Sequence, residues 1–584
     1  MITLIAFLPS LGNGFVAWDD DKNFLNNPHF RGLSPDHLHW MWTTFHLGHY
    51  VPLTWMTLGL DYTLWGMRPA GYHFTSVAIH AANAILVYFV ARRLLRLSLG
   101  SVEPRALAIA SAIAALTFAV HPLRVESVVW ITERRDVLSG FFYLASLLCY
   151  LRSVDGAQLA RRRYVASVVL FACALLSKAT AVSLPLILLI ANAYPLRRVP
   201  EYGRRVMAEL APFVLLAMAA SILSIVALHP PAQLGPAQKL AVSAYAFVFY
   251  LAKTLLPRGL SPLYELPQHV DPIALRYLIC YIVAAALLAA GWMIRRRFPG
   301  VVAAVGAFLV AILPMLGIVQ NGPQIAADRY TYFAAPALAL LVGAAYIWTS
   351  RAHHVTAARV GALSLAAILT LLTWRQTLVW RDTRALWTRV LALDSTSSIA
   401  HVGMATLLLR ENQVNDAAEH ARRAVAIAPD YPQAHNDLGV VYARQGDLAG
   451  AIREYQRAVE LDPNSDEAHS NLGVALAARG DLAGAIRQYE TAVALNPDAA
   501  DAHVDWGNSL VRTGHPEEAI DHYRAALAIR PDHAEAELNW GVALALERNY
   551  PAAVEHFRRS LEIDPGQREA QVYLDRATRL MSGG

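Results

Sequence analysis

The C-terminal third of this 584-residue chain repeats itself with a period of 34 residues. Four residue classes keep the period: prolines at 429, 463, 497, 531 and 565, glycines at 439, 473, 507 and 541, alanines at 417, 451, 485, 519 and 553, and aromatic residues at 455, 489, 523 and 557. A repeat of this length is one supersecondary unit that buries its apolar face only against its neighbours. The segment is therefore restricted to an α-solenoid, with small residues at helix contacts and proline ending the second helix.

The period and the small-residue positions are those of tetratricopeptide repeats. Five repeats are predicted from about residue 398 to 567. A linking helix at 375–397 precedes them, and a capping helix and tail at 568–584 follow. The concave surfaces of such solenoids bind peptides, proteins or other subunits, so we expect an acceptor protein or peptide to bind this surface.

Residues 1–374 differ from the repeats because they consist of apolar segments separated by short loops. The whole chain is 55% hydrophobic and only 16% charged, with a mean hydropathy of +0.33, and this apolar excess lies before about residue 375. We predict about eleven transmembrane spans, several of which need flanking residues to reach the roughly 20 that cross a bilayer. The predicted fold class is thus all-α, a polytopic helix bundle followed by a solenoid.

Arginines in five loops set the predicted orientation in the membrane. These loops lie at 92–105, 152–163, 197–205, 295–297 and 351–359, and the positive-inside rule makes them cytoplasmic. They agree if the N-terminus is inside and 239–256 is an interfacial or re-entrant helix. The repeats then lie outside, together with the segments 18–73, 121–136 and 321–330 and the turn at Lys178.

The same composition excludes two other classes of site. The net charge of +5 is modest and its arginines follow the loop pattern, so we expect no binding to nucleic acid. The three cysteines lie in apolar segments without metal-ligand spacing, which favours neither a disulfide framework nor a zinc site.

A charged block between two apolar spans is the strongest functional signal in the first 374 residues. The sequence HPLRVESVVWITERRD holds seven ionisable residues, which are His121, Arg124, Glu126, Glu133, Arg134, Arg135 and Asp136. Charge beside a bilayer is costly, so such groups usually face a water-filled cavity at a functional site. An apolar bundle needs no such block for stability, and we therefore predict a membrane enzyme.

Three carboxylates follow the first apolar span directly, at Asp19, Asp20 and Asp21. An acidic pair at the membrane surface can hold a divalent cation or remove a proton from an acceptor hydroxyl. A solvated cap on the following segment explains the same residues equally well. Most of the Trp, Tyr and His residues of the next loop are interpreted as interfacial anchors.

Four cations of the predicted outer segments, Arg134, Arg135, Lys178 and Arg329, have the chemistry to hold a phosphate group. The alternatives for each are a salt bridge to a neighbouring carboxylate or contact with lipid headgroups. His121 precedes Pro122, which is also consistent with the simple end of a span. Glu126 lies in the apolar sequence LRVESVVW, which disfavours a solvated position for it.

Five motifs occur in one order along the chain: WDDDKNFLNNP, HYVPLTW followed by Asp61, HPLRVESVVWITERRD, SKATAVSLP and DRYTYFAAP. With the repeats that follow, they resemble bacterial relatives of the transmembrane and tetratricopeptide repeat-containing O-mannosyltransferases. These belong to the C-type glycosyltransferases (GT-C), membrane enzymes that use polyprenyl-phosphate-linked sugars. The resemblance covers nearly the whole chain. One departure is Ala179 after Lys178, where members often have proline.

The resemblance implies inverting transfer of mannose or a similar hexose from a polyprenyl-phosphate donor to a protein Ser/Thr hydroxyl. The catalytic acidic pair falls on Asp19 and Asp20, which would also be the metal ligands if a divalent cation is used. Implied donor-phosphate or substrate residues are Glu126, Arg134, Arg135, Lys178, Arg329 and His121. The implied partners are the lipid-linked sugar, the acceptor and membrane lipid. The implied location is the bacterial cytoplasmic membrane, with the repeats on the periplasmic side.

Other functions explain part of the same sequence. A non-enzymatic membrane scaffold accounts for the repeats but not for the outer charge. A glycosyltransferase acting on lipid or polysaccharide accounts for both. A transporter is disfavoured, because matching halves with broken spans are not evident in the sequence.

Overall fold

A computed structural model describes residues 1–155, 158–227, 234–317, 322–351 and 354–582. The chain divides into two compact units, Met1–Ser395 and Thr396–Gly584. Residue 321 of the predicted outer segment 321–330 and residues 583–584 of the predicted tail lie outside the described residues.

The first unit is helical. Its α-helices are α1 (Ile2–Ala6), α2 (Pro35–Thr43), α3 (Pro52–Trp65), α4 (Pro69–Leu99), α5 (Pro104–Ala119), α6 (Val125–Val129), α7 (Arg134–Ser153), α8 (Arg161–Ser177), α9 (Leu184–Ala193), α10 (Val199–Ala227), α11 (Pro236–Leu255), α12 (Leu275–Ile294), α13 (Pro299–Ile312), α14 (Ala335–Arg351), α15 (Val355–Thr377) and α16 (Thr383–Leu393). Two short antiparallel pairs interrupt them, β1 (Val154–Asp155) with β2 (Gln158–Leu159), and β3 (Tyr264–Glu265) with β4 (Gln324–Ala326).

Among the described residues, four helices are long and apolar enough to cross a membrane: α4, α10, α12 and α15, the last counted to Trp380. A fifth candidate is the pair Pro104–Ala119 and Pro122–Val129, which is bent by 55°. Shorter apolar helices accompany them, at Ala179–Ala193, Pro299–Met315 and Ala335–Ser350. The predicted membrane helix bundle is confirmed, whereas the number of eleven spans stays a prediction.

Short helical turns carry the charged block. A 3₁₀-helix at Pro122–Arg124 leads into α6, and a second at Ile131–Glu133 leads into α7. Proline starts the first turn, where its missing N–H leaves no hydrogen bond unmade. Side chains from His121 to Arg134 are buried throughout, so this polar segment is packed inside the unit.

The second unit consists of paired helices. They are α17 (Ser398–Arg410), α18 (Val414–Ile427), α19 (Pro432–Arg444), α20 (Leu448–Leu461), α21 (Asp466–Arg479), α22 (Leu482–Leu495), α23 (Ala500–Arg512), α24 (Pro516–Ile529), α25 (Ala534–Leu546), α26 (Tyr550–Ile563) and α27 (Arg568–Ser582). Each second helix ends two residues before the periodic proline, as α22 does before Pro497. The predicted tetratricopeptide solenoid is confirmed.

A repeated glycine–aromatic contact explains why the period is kept. A Cβ atom on Gly473 would lie 2.6 Å from the ring of Tyr489. The same 2.6 Å approach recurs between Gly439 and Tyr455 and in the two repeats that follow. Glycine on the first helix therefore lets the aromatic side chain of the second helix fill the space between them.

Candidate functional site: a charged cavity with an apolar wall

A cavity of about 950 Å³ lies in the first unit. Polar and charged side chains form one side, namely Asp19, Lys22, Asn23, His46, His49, Tyr50, Thr54, Thr132, Glu133, Arg135, Lys178, Gln324 and Arg329. These residues come from segments far apart in sequence, and the fold brings them together. The charged lining residues are four cations and two carboxylates.

Glu133 is the centre of the charged side. Its fully buried carboxylate accepts hydrogen bonds from Arg135 Nη2 at 2.7 Å and Lys178 Nζ at 2.7 Å. The Nε of Arg329 lies 3.2 Å from the same group. These three cations hold the pKa of Glu133 well below its usual value despite burial. One carboxylate thus gathers three cations at the cavity wall.

Two further carboxylates lie behind these cations. Lys178 forms a second ion pair with Asp136 at 2.8 Å, and Asp136 accepts from the Ser127 hydroxyl at 2.9 Å. The Glu126 carboxylate accepts from the Arg329 guanidinium and, at 2.9 Å, from the Arg329 backbone N–H. Both pairs are buried and hydrogen-bonded, which fixes the directions of the long cationic side chains.

Asp20 ties the N-terminal loop to the charged block. It is 1% exposed and accepts from the Thr132 hydroxyl at 2.6 Å, the Thr132 N–H at 3.2 Å and the Val16 N–H at 3.0 Å. Burial outweighs these donors and raises the pKa of Asp20 to about 7. It is absent from the cavity lining, so in this geometry Asp20 positions the loop.

The Asp19 side chain, in contrast, lines the cavity. Among the described residues, no side chain or backbone N–H forms a hydrogen bond or ion pair with its carboxylate. Burial raises the pKa of Asp19, with Arg135 and Arg329 opposing the shift. A carboxylate with free lone pairs and a raised pKa is suited to accept a proton. Asp21 begins a π-helix at Asp21–Leu25 and is not a lining residue.

Stacked tryptophans hold this region in place. The rings of Trp18 and Trp130 stack at 5.3 Å, and Trp130 stacks on Trp380 at 5.4 Å. The guanidinium of Arg329 lies 5.4 Å from the Trp130 ring centroid. The Arg329 guanidinium therefore lies against this tryptophan stack, and Asp19 directly follows its Trp18 in sequence.

Arg134 and His121 lie away from the cavity. Arg134 is fully buried, pairs with Asp61 at 2.8 Å and donates to the Tyr72 carbonyl at 2.6 Å and the Ser76 hydroxyl at 2.8 Å. The Nε2 of His121 lies 3.0 Å from the Thr254 carbonyl oxygen. Both side chains join helices of the bundle and do not line the cavity.

The other side of the cavity is apolar. It includes Leu175, Leu176, Val182, Leu216, Ala219, Ala220, Leu223, Ile225, Pro314 and Met315. The C-terminal half of α10 supplies five of these, and α10 is one of the helices apolar enough to cross a membrane. The cavity therefore combines charged groups with a hydrocarbon-like surface that is supplied in part by a candidate membrane helix.

Sequence reasoning missed two parts of this cavity. His49 and Trp55 line it, although the sequence favours interfacial anchoring for most aromatic and histidine residues of their segment. Burial and the charge of Arg135 lower the pKa of His49 to about 3, so this imidazole is neutral. The apolar wall carries no sequence signal, because its residues resemble any others of a membrane span.

The arrangement of the carboxylates bears on whether the described residues could hold a metal ion. Over the parts of the chain that the structure describes, no group of three or more His, Cys, Asp or Glu side chains is placed to hold a metal ion. The Asp19 carboxylate lines the cavity, whereas the Asp20 carboxylate, which is not part of the lining, is hydrogen-bonded to Thr132. This separation disfavours coordination of one metal ion by both carboxylates.

Comparisons with known proteins identify the repeats and name related proteins. The family described as "TPR repeat" matches residues 406–446, 441–478 and 475–514, and the family "Tetratricopeptide repeat" matches 504–568. Two solved tetratricopeptide proteins are similar to the repeats. YrrB, a protein with an unusual peptide-binding site, is 23% identical over 32% of this chain and 95% of its own (TM-score 0.27). A thermophilic tetratricopeptide protein of Thermus thermophilus, TTC0263, is 19% identical over 31% and 99% (TM-score 0.28).

Curated relatives are protein O-mannosyl-transferases. Tmtc1 of Drosophila melanogaster is 30% identical over 194 residues, 31% of this chain and 21% of its own. TMTC4 of Homo sapiens is 30% identical over 195 residues, 30% of this chain and 26% of its own. TMTC3 of Mus musculus is 36% identical over 104 residues, 18% and 10% of the two chains. The chain spans about a quarter or less of the length of these relatives. The predicted resemblance to repeat-containing O-mannosyltransferases is confirmed.

Proposed function

We propose that this protein is a membrane glycosyltransferase that moves a sugar from a polyprenyl-phosphate donor to a hydroxyl group of an acceptor protein. The observation that carries the proposal is the joint lining of one cavity by Asp19, a cluster of cations and an apolar wall. A phosphate, a sugar and a hydrocarbon tail need these three environments side by side. The names of the curated relatives support the same reaction class.

In this proposal, the cations of the cavity bind the phosphate group of the donor. Arg135, Lys178 and Arg329 converge on Glu133 and retain further N–H groups, since a guanidinium carries five donors and an ammonium three. Donors already fixed in direction stabilise the charge that develops on a leaving group. The phosphate departs as the bond between its oxygen and the sugar C1 breaks, and these cations take up its growing charge.

Asp19 activates the acceptor hydroxyl by acting as a general base. As the acceptor oxygen attacks C1, its proton passes to the Asp19 carboxylate. No other described residue forms a hydrogen bond or ion pair with this carboxylate. The raised pKa of Asp19 strengthens it as a base. Attack opposite the leaving phosphate inverts the configuration at C1. Asp20 contributes indirectly, because its hydrogen bonds to Thr132 and Val16 hold the Asp19 backbone.

We also propose where the polyprenyl tail and the acceptor protein bind, and on which side of the membrane the reaction takes place. The wall formed by α10 receives the start of the polyprenyl tail, since burying apolar surface there is favourable. The repeats bind the acceptor protein. Because arginine-rich loops usually face the cytoplasm, we propose that the cavity and the repeats face the periplasm of a bacterial cytoplasmic membrane.

The test is sugar transfer by the purified full chain with polyprenyl-phosphate-mannose and Ser/Thr-containing peptides, followed by mass spectrometry. We expect Asp19→Asn to lower the rate about 10²-fold or more. Asp21→Asn is the matched control, because it removes a carboxylate of the same loop outside the cavity lining, and it should keep near wild-type activity.

Three outcomes count against parts of the proposal. Unchanged transfer by a folded Asp19→Asn variant would exclude Asp19 as the base. Donor consumption with sugar found only on lipid or polysaccharide would replace the protein acceptor. A wild-type chain that consumes no lipid-linked sugar but binds partner proteins would be a membrane scaffold.

A further inference from the structure

A second cavity, of about 410 Å³, lies at the opposite end of α7 from the charged cavity. Arg93 of α4, Arg152 of α7 and Arg163 of α8 line it, and the other described lining residues are Ser153, Val154, Leu159 and Ala160. α7 has 20 residues, about 30 Å at ~1.5 Å per residue. The two cavities are therefore separated by about the thickness of a bilayer core.

The three guanidinium groups keep most of their hydrogen-bond donors free of the described residues. Arg93 Nε donates to the Leu151 carbonyl at 3.3 Å, and Arg163 Nη1 donates to the Arg152 carbonyl at 3.0 Å. The Arg152 guanidinium lies 5.5 Å from the Phe89 ring centroid. These contacts orient the groups and leave the other N–H donors for a ligand, since each guanidinium carries five.

The charge around this second cavity is mostly positive. No carboxylate is among its described lining residues. Segments 92–96 and 152–163 together contain seven arginines against one acidic residue, Asp155. Arginines placed this close repel one another, and a bound anion relieves that repulsion. The helix α8 adds to the effect, because it starts beside the cavity at Ala160 without a side-chain cap.

Exposed apolar side chains border the arginines. On α4, Phe89 is 37% exposed and Ile85 is 59% exposed, one and two turns before Arg93. In a membrane-spanning helix such residues face lipid tails. A ligand that carries both phosphate and acyl chains therefore fits this place better than a small ion does.

We infer that this second cavity is a binding site for a phosphate group, supplied by the headgroup of an anionic phospholipid. Arginine recognises phosphate oxygens in a bidentate manner, and basic pockets between membrane helices take anionic headgroups. This inference does not rest on the proposed glycosyltransferase activity, because no residue of the charged cavity takes part.

The test measures lipid retention by the purified full chain in native mass spectrometry, with phosphatidylglycerol and phosphatidylcholine as probes. The wild type should retain phosphatidylglycerol in preference to phosphatidylcholine. The double variant Arg152→Gln/Arg163→Gln should weaken this retention on the order of tenfold or more, at about fivefold per arginine. The matched control, Arg161→Gln/Arg162→Gln, removes two neighbouring arginines outside the lining and should change it less than about twofold.

A second variant and a second probe keep the test decisive. Arg152→Lys/Arg163→Lys keeps the charge but not the bidentate geometry and should give an intermediate loss even if the glutamine variant unfolds. Inorganic phosphate, titrated by calorimetry, distinguishes the source of the group. Binding of phosphate that depends on Arg152 and Arg163 supports the site with a soluble ligand. Equal retention of both lipids together with no phosphate binding, or equal losses in the control variant, would overturn the inference.

Discussion

The charged cavity of the first unit is built from contacts between residues far apart in sequence, whereas the repeats of the second unit are built from contacts between neighbouring helices. In the cavity, Asp20 bonds to Thr132 across 112 residues and Arg329 to Glu126 across 203 residues. In the repeats, the Gly473–Tyr489 contact joins helices that are neighbours in sequence. Local contacts leave a period in the sequence, whereas long-range ones leave only scattered motifs. The chemistry of this chain therefore lies where its sequence is least regular.

The largest expected effect comes from removing the carboxylate that joins the cavity's cations. Glu133→Ala leaves Arg135, Lys178 and Arg329 buried without their shared partner. Breaking a buried ion pair costs about 3–5 kcal/mol. We expect a clear fall in the unfolding temperature of the full chain in detergent, and a smaller fall for Glu133→Gln.

The control for this change is Asp36→Ala, an exposed carboxylate on α2. Its effect should stay within about 0.5 kcal/mol, as for most surface substitutions. If Glu133→Ala were as mild as Asp36→Ala, the account of Glu133 as the centre of the cluster would be wrong.

The next effect is a pH dependence that originates at Asp20. Its pKa is raised from 3.8 to about 7 by burial, so between these values the folded chain holds a proton that the unfolded chain releases. This contribution to stability is complete below pH 3.8 and is lost as the pH rises through 7. At ~1.4 kcal/mol per pKa unit, it amounts to a few kcal/mol.

The measurement compares the unfolding temperature of the wild type and Asp20→Asn from about pH 4 to 8, the range that brackets the shifted pKa. The difference between them should change in favour of the variant as the pH rises. Thr132→Val removes the 2.6 Å hydroxyl donor that lowers the pKa, and should extend the decline to higher pH. A difference that grows in favour of the wild type would contradict the sign.

A smaller effect is expected in the repeats. Gly473→Ala places a methyl group 2.6 Å from the Tyr489 ring, and overpacking of this kind costs about 1–3 kcal/mol. Hydrogen exchange of the full chain should accelerate in α21 and α22 and leave the first unit unchanged. Ser470→Ala on the same helix is the control. Exchange that is unaltered by Gly473→Ala would show that the glycine is not required there.

The range of contacts also explains what the sequence could predict. The all-α class and the tetratricopeptide solenoid follow from local periods, and both are confirmed. At the cavity, the sequence supplied Asp19, Arg135, Lys178 and Arg329 as candidates. It could not distinguish Arg135 from Arg134, because adjacent helical residues face different directions, and only the fold turns Arg134 toward Asp61. The roles of these residues stay predictions.

The smallest expected effect is a pH dependence of the opposite sign in the repeats. Burial and the nearby His503 lower the pKa of His522 from 6.5 to about 4, and the two Nδ1 atoms lie 3.1 Å apart. This group's contribution is complete above pH 6.5 and is lost as the pH falls through 4. The rate of amide hydrogen exchange in α23 and α24, corrected for the intrinsic rate, should therefore rise as the pH falls toward that lower pKa.

His522→Gln should reduce that rise, whereas His515→Gln, outside the histidine pair, should leave it unchanged. An equal response from both variants would mean that the His503–His522 pair does not control the stability of these helices.

The most direct test of the account is the structure of the full chain determined by electron cryo-microscopy with a polyprenyl-phosphate-linked sugar. We predict that the phosphate lies within hydrogen-bond distance of Arg135, Lys178 or Arg329, with the sugar beside Asp19 and the tail along α10. A donor phosphate bound only at Arg93, Arg152 and Arg163, or anywhere else outside the charged cavity, would contradict it.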